Sequence, residues 1–391
     1  MKPIVYIDSA ATTPLSEFAL NRALPFLREH FGNASSRHSH GVAARQALEE
    51  SRRTIAETLG ARSEEIVFTS GASEANAWIL NAIAAPIDAA PPISVKNVNV
   101  VSTAFEHSSI WETLRSLERR GIAVTYLRPN RDGVISTADV AAALRPNTRL
   151  VSIMTANNEL GTLQPIAEIG RLLRERGVVF HTDATQAVGH IPLNVNELNV
   201  DFLTASAHKF NGPKGFGFLY RRHDVDLPAF ILGGSQERGL RSGTENIFGA
   251  VATAAALTEN VAALPETTAR LCNLENALLR RLREVLSSSD FSVVGESAAR
   301  LPGFLNLVFN GADGDTITRL LDLRGVCAST GSACSSGDVK PSRTLLATGR
   351  SELEARSSVR VSFGRHNTTV DAEAVADALI FAFRKIAAVR K

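Results

Sequence analysis

The segment Ser206-Ala207-His208-Lys209-Phe210-Asn211-Gly212-Pro213-Lys214-Gly215 carries the residue best suited to covalent chemistry. Asp201 to Ala205 before it has the composition of a strand entering the interior, and Phe216 to Tyr220 after it reads as another. Lys209, between the two, is expected against buried surface. Burial penalises an ammonium, lowers its pKa and frees the amine as a nucleophile, which is what a Schiff-base lysine requires. An isolated lysine more often points into water, so the reading depends on its company.

Four other polar clusters each follow a predicted strand, the edge at which open parallel sheets hold ligands. Ser70-Gly71-Ala72-Ser73 opens a helix, and the free N–H groups and dipole of a helix start suit a phosphate; the same residues also make an ordinary N-cap. Glu106-His107 follows the next strand, where a histidine has a structural reading as well as a catalytic one. Asn157-Asn158-Glu159 and His181-Thr182-Asp183-Ala184-Thr185-Gln186 come next, with Asp183 placed either to cap or to pair with a cation. Together they fit pyridoxal 5′-phosphate. That cofactor needs a phosphate cradle, an anion on its pyridine nitrogen, a group stacked on its ring and a lysine for its aldehyde. Ser73, Asp183, His107 and Lys209 supply these in turn.

Cys334 lies in Ser329-Thr330-Gly331-Ser332-Ala333-Cys334-Ser335-Ser336-Gly337. Residues this small bury little apolar surface, so the sequence predicts a mobile loop. A thiol there can travel to a substrate, and an ordinary thiol with a pKa of about 8.5 is partly thiolate at neutral pH. Cys327, after Val326, reads as a buried small hydrophobe, and Cys272 falls in a helical pattern without polar company.

These clusters need a scaffold that returns the chain repeatedly to one edge. Strands are predicted at 65–69, 98–102, 123–127, 150–154, 178–182, 202–206 and 215–220. Helices are predicted between them, among others at 108–119, 137–144 and 166–176. Such alternation predicts an α/β fold: a mostly parallel sheet of seven-stranded type sandwiched by helices, with a smaller α+β C-terminal domain. With 391 residues, two domains are expected: 15–262 as the large domain, and 1–14 plus 263–391 as the small one carrying the Cys334 loop. Forty-two Lys and Arg against forty Asp and Glu leave a charge of +2, which implies no direct nucleic-acid partner. Three cysteines argue against a disulfide framework and for a reducing, cytoplasmic setting. The start lacks the pattern of a signal peptide, and no apolar run reaches the about 20 residues of a membrane span. No metal site is expected.

The stretches DSAATTP, FGNASSRH, EIVFTSGASEAN, FEHSS, NNELG, HTDATQAVG, SAHKFNGPKG, RSGTEN, GSACSSG and VRVSFGRHN run from Asp8 to Asn367. Through them the chain closely resembles the cysteine desulfurases of the nitrogenase and housekeeping iron–sulfur type, within the class-V aminotransferase group of fold-type I enzymes. The resemblance implies that Lys209 carries the cofactor as a Schiff base, Asp183 pairs with the pyridine nitrogen, and His107 stacks on the ring and moves protons. It implies that Asn158 and Gln186 face the phenolic oxygen. Ala72, Ser73, Ser206 and His208 would hold the phosphate, with Thr244 reaching in from the partner subunit of a homodimer. Arg360, helped by Asn33, would bind the substrate carboxylate. Cys334 would take sulfur from L-cysteine as a persulfide, releasing L-alanine. A sulfur-acceptor protein, either a scaffold for iron–sulfur clusters or an enzyme of tRNA or DNA thio-modification, would receive it. Ser73 stands where the family commonly has Thr, which keeps the hydroxyl. Selenocysteine lyase or aminotransferase activity, and a sulfur-delivery subunit acting mainly within a complex, are the alternative readings.

Overall fold

The computed structural model describes residues 4–84, 98–331 and 341–389. Cys334 lies outside the described residues. After a two-residue strand β1 (Val5–Tyr6), seven strands form the main sheet: β2 (Ile66–Thr69), β3 (Asn99–Thr103), β4 (Ala123–Leu127), β5 (Thr148–Ser152), β6 (Val179–Asp183), β7 (Phe202–Ser206) and β8 (Gly217–Arg221). Their order is β2-β8-β7-β6-β5-β3-β4. β4, β3, β5, β6 and β7 pair in parallel, and β8 runs antiparallel to both β7 and β2. The predicted mostly parallel α/β sheet is the architecture found.

The strands form here because both their faces are covered. Ile66, Phe68, Val151, Leu203 and Phe218 face one core with the helices Ser39–Leu59, Ile166–Arg176 and Ile247–Ala262. Val67, Leu150, Phe202 and Leu219 face another core with Trp78 and Ile79 of the helix Ala72–Ala84 and Ile110 and Leu114 of the helix Ser108–Arg119. Alternate residues point to opposite sides of a strand, so strands buried on both faces read as continuous apolar runs.

A second sheet has the order β12 (Ser358–Ser362), β10 (Phe304–Phe309), β9 (Phe291–Val293), all antiparallel. It packs with the helices Leu264–Val285 and Thr369–Val389 around a separate core that includes Leu278, Leu307, Val361 and Leu379. Ile7 belongs to this core, and β1 pairs in parallel with β11 (Val326–Cys327), so the N-terminal strand lies with the C-terminal part of the chain. No single helix among the described residues is long and apolar enough to cross a membrane.

Boundaries depart from the sequence expectation where side chains take over the backbone. The strand expected to run to Met154 ends at Ser152. Beyond it the side-chain Oδ1 of Asn157 accepts from the Glu159 and Leu160 N–H groups and turns the chain. Two short helices, Arg343–Ala347 and Glu352–Arg356, were not expected; a Ser351–Glu354 capping box starts the second and was legible as a pattern. Cys327 is a correction: it is half-buried rather than buried, because β11 has only β1 beside it.

One buried ion pair ties the segment before Thr244 to the main sheet. Arg52 and Glu237 meet through two bonds of 2.7 and 2.8 Å, Glu237 also accepts from Phe68 N, and Arg52 donates to Ile66 O. Glu237 and Arg238 have left-handed backbone, at φ 44° and 59°. The pair holds a conformation that non-glycine residues seldom adopt. Replacing Glu237 with Ala strands a buried guanidinium. We expect the unfolding free energy to fall by about 3–5 kcal/mol in chemical denaturation; an unchanged midpoint would contradict this.

Candidate active site

The carboxyl ends of β2, β3, β6 and β7 meet the N-terminal segment along one edge of the main sheet. β6 ends in Asp183, which is 5% exposed. Its Oδ2 accepts from Asn76 Nδ2 at 2.8 Å and its Oδ1 from Thr185 N at 3.0 Å, so the carboxylate is fixed in rotation at both oxygens. β3 leads into His107, which caps the helix Ser108–Arg119 by accepting from Ser109 N at 3.2 Å. Burial holds the His107 imidazole below the ordinary histidine value. Asp183 opposes that effect, while Lys209 and Arg343 add to it. His107 therefore lies in the field of both Asp183 and Lys209.

β7 ends at Ser206 and passes into a single tight turn, Ala207–Lys209. Lys209 is half-buried, and its Nζ donates to the carbonyls of Ala10 (2.7 Å) and Ala11 (2.9 Å). Gln186 Nε2 donates to the same Ala10 oxygen at 2.9 Å, and Ala10 N donates to Ser362 Oγ. Beneath the turn, His190 Nε2 meets Lys209 O at 2.9 Å.

The start of the helix Ala72–Ala84 lies beside this turn, since Ser206 Oγ accepts from Ala72 N at 2.8 Å. Gly71 has φ +149°, and a Cβ there would lie 3.3 Å from Ser206 Oγ, so a side chain is disfavoured by conformation as well as by space. Ser73 is exposed in the first turn, where N–H groups lack intrahelical acceptors. Glu74 accepts from Ser70 N and pairs with Arg241 at 2.9 Å, joining the helix start to the segment that carries Thr244. His208 contacts Thr12 Oγ1 through Nδ1 at 3.1 Å. Its pKa is pushed down to about 4 by burial, with Lys209 and Lys214 adding, so it is neutral at pH 7 and able to donate but not to act as a cation.

Arg360 on β12 is 5% exposed. Nη1 donates to Asn158 O at 2.8 Å and Nη2 to Asp8 Oδ1 at 2.7 Å, while the buried Nε has no partner among the described residues. Asp8 Oδ2 accepts from Ser329 Oγ. Lys209, Gln186, Asn158 and Arg360 are thus linked through residues 8–11 or directly. Asn33 and Thr244 are not drawn in: Asn33 is exposed and accepts from Ser35 N in a local turn, and Thr244 is exposed in a cleft with Ser70 and Gly215.

Three residues were given no role of their own in the sequence reading. Asn76 lies in the SGASEAN stretch, but its partners come from distant strands. Arg343 holds the Ala104 and Glu106 carbonyls at 2.7 and 2.6 Å and lies 4.2 Å over Trp111; backbone acceptors leave no sequence signal. Glu159 accepts from Ser342 and Thr344 hydroxyls and has its carboxyl pushed up by burial. In chemical terms the set is an amine, an anion held at the end of a strand, a histidine in the field of both, an open helix start and an arginine whose Nε has no partner among the described residues. It can hold a phosphorylated aldehyde together with an amino acid.

The model of the family "Aminotransferase class-V" matches residues 5–375. Cysteine desulfurase IscS of Dictyoglomus turgidum is 41% identical over 379 residues, covering 97% of this chain and 94% of that protein. A solved NifS-like protein superposes with a TM-score of 0.88 at 32% identity, covering 99% of this chain and all of that one. A structure described as SspA in complex with cysteine gives a TM-score of 0.80 at 34% identity, over 93% of this chain and all of that one.

Glu106, next to His107, faces the sheet interior. Its Oε1 accepts from Thr103 Oγ1 (2.7 Å) and Met154 N (3.0 Å), and burial pushes the carboxyl up to about 8. A raised carboxyl pKa means that the folded state binds the proton more tightly. Its contribution to stability is therefore present at low pH and is lost as pH rises from the unfolded value toward about 8. Glu106→Gln removes that slope, so melting temperatures between about pH 5 and about pH 9 should fall less steeply than in the unmodified protein. Parallel curves would show that Glu106 does not titrate in that window.

Proposed function

The chain belongs to the aminotransferase class-V family, and from that footing we propose that it is a pyridoxal-phosphate-dependent cysteine desulfurase, converting L-cysteine to L-alanine and passing the sulfur to an acceptor protein. The observation that carries the reading is the meeting of Lys209, His107 and Asp183 at one sheet edge, where His107 feels the charge of both other residues.

The fit of pyridoxal phosphate rests on the donor set. Asp183, held at both oxygens, offers an anion for a protonated pyridine nitrogen. Gly71 lets the helix start approach Ser206 without a side chain between them. Ala72, Ser73, Ser206 and a neutral His208 would hold the phosphate, Asn158 and Gln186 the ring oxygen, and His107 the ring face. Thr244 of a second copy would close the cradle in a homodimer; its exposure supports that role. When bound, the cofactor supplies a sink for the electron pair left at the substrate Cα.

The rest is the work of this chain's own groups. The Lys209 amine, which donates to the Ala10 and Ala11 carbonyls, would hold the cofactor until the substrate amine displaces it, and once free it takes the proton from Cα. Arg360, oriented by Asp8 and the Asn158 carbonyl, brings its spare Nε donor to the substrate carboxylate, helped by Asn33. The Cys334 thiolate attacks the substrate sulfur: an S–S bond forms as the Cβ–S bond breaks, with that electron pair left on Cβ. Protonation at Cβ and return of a proton to Cα complete alanine, and the sulfur stays on Cys334 as a persulfide. It then passes to an acceptor protein, for which iron–sulfur cluster assembly is the destination we favour.

Cys334→Ser should retain the yellow absorbance of the bound cofactor yet release no alanine from L-cysteine and acquire no persulfide on mass spectrometry of the intact protein. Lys209→Ala should lose the Schiff-base absorbance. Persistent turnover by the Cys334→Ser protein in the presence of a thiol would remove the role given to Cys334.

A further inference from the structure

Asn76 is fully buried on the helix Ala72–Ala84, and each polar atom of its side chain is engaged. Nδ2 donates to Asp183 Oδ2 at 2.8 Å and to Ser109 Oγ at 2.9 Å, and Oδ1 accepts from Thr204 Oγ1 at 2.6 Å. The orientation of the amide follows from its neighbours. A carboxylate has only lone pairs to offer, so the NH2 end must face Asp183, and Oδ1 must face Thr204. One Nδ2 hydrogen then remains for Ser109 Oγ. With that oxygen accepting, the Ser109 O–H is left to donate, and its neighbour is His107 Nδ1 at 2.9 Å. The Ser109 peptide N–H points to the same nitrogen at 3.2 Å. Two donors aimed at Nδ1 leave the imidazole proton of the neutral ring on Nε2.

The same amide reaches a second histidine. Thr204 commits its proton to Asn76, so its lone pairs face His181 Nε2 at 3.4 Å, while His181 Nδ1 meets Ser152 Oγ at 2.9 Å. Burial pushes the His181 pKa down to about 4, against the pull of Asp183, so it contributes a neutral N–H to this line. The donors therefore run in one sense from His181 through Thr204, Asn76 and Ser109 to His107, with Asp183 as the anionic branch.

We propose that Asn76 is a positioning residue that acts through Ser109: one buried amide fixes the rotation of Asp183 and sets His107 as the neutral ring with its proton on Nε2. His107 would then enter the reaction as a proton donor at Nε2, and a change in charge at Asp183 would be felt at His107 through three hydrogen bonds. The relay's place in catalysis rests on the reading of Asp183 and His107 as site residues; the relay itself does not. Among the described residues the titratable groups facing His107 are Asp183, Lys209, Arg343 and the neutral His208, while the hydrogen bonds at Nδ1 come from Ser109.

The test is imidazole nitrogen NMR on the full-length protein, deuterated and 15N-labelled at histidine, with and without pyridoxal phosphate. His107→Gln assigns the signal. The unmodified protein should show His107 with its proton on Nε2. Ser109→Ala and Asn76→Ala should each weaken that preference by about tenfold or raise the His107 pKa by about one unit, the worth of one hydrogen bond. The double variant should add little to either single change, because both act on one path. Ser109→Thr should restore the original signal. A proton on Nδ1 in the unmodified protein would overturn the proposal. So would a silent Ser109→Ala, even if Asn76→Ala moved the signal. The relay observed in a protein that yields no alanine from cysteine would support the proposal and fail only the activity reading.

Discussion

An ionised carboxylate inside a protein is costly unless hydrogen bonds replace the water it has lost. Asp183 meets that requirement with one side-chain amide and one peptide N–H, each on a different oxygen. Much of the surrounding geometry follows. The amide must come from a helix packed against the sheet, so the helix Ala72–Ala84 lies across β6 and β7 with its N-terminus open. That opening brings Gly71 and Ala72 to Ser206, and Ser206 leads directly into the turn that presents Lys209. An anion, an open helix start and an amine are thereby fixed relative to one another by rigid elements.

Residues 8–11 are the second constraint. They contribute backbone and one carboxylate rather than a catalytic side chain. Ala10 and Ala11 carbonyls hold Lys209, Ala10 also holds Gln186, and Asp8 divides its two oxygens between Arg360 and Ser329. Because β1 pairs with β11 and Asp8 bridges to Ser362, this segment is tied to the second sheet while its carbonyls serve the first. The amine and the guanidinium are therefore set by one short piece of backbone.

Much of this was legible in the sequence because strands buried on both faces leave long apolar runs, and polar clusters at their ends stand out against them. Lys209, Asp183 and His107 were found in that way, and the helices 108–119 and 166–176 end where their patterns end. What escaped depended on contacts between distant strands. Asp8 reads as turn chemistry until Arg360 is placed beside it. Asn76 reads as one polar residue of a helix until β6 and β7 bring Asp183 and Thr204 to it. Arg343 binds only carbonyls and an aromatic face, which no spacing announces. Cys327 was read as buried from its apolar neighbour, but a two-stranded sheet leaves a side open.

The pairing of Asp8 with Arg360 joins positions 352 apart in the chain. A ribosome makes Asp8 long before Arg360. Through most of synthesis the strand at Val5–Tyr6 has no Val326–Cys327 to pair with, and the carboxylate has no guanidinium. The main sheet can assemble as its strands emerge, since its contacts are nearer in sequence. A chain interrupted before β12 would then retain the Lys209 amine and the helix start beside Ser206 without the guanidinium of Arg360. Synthesis of β12 thus acts as a licence: the guanidinium and the carboxylate that orients it come together only in molecules in which that strand has been made.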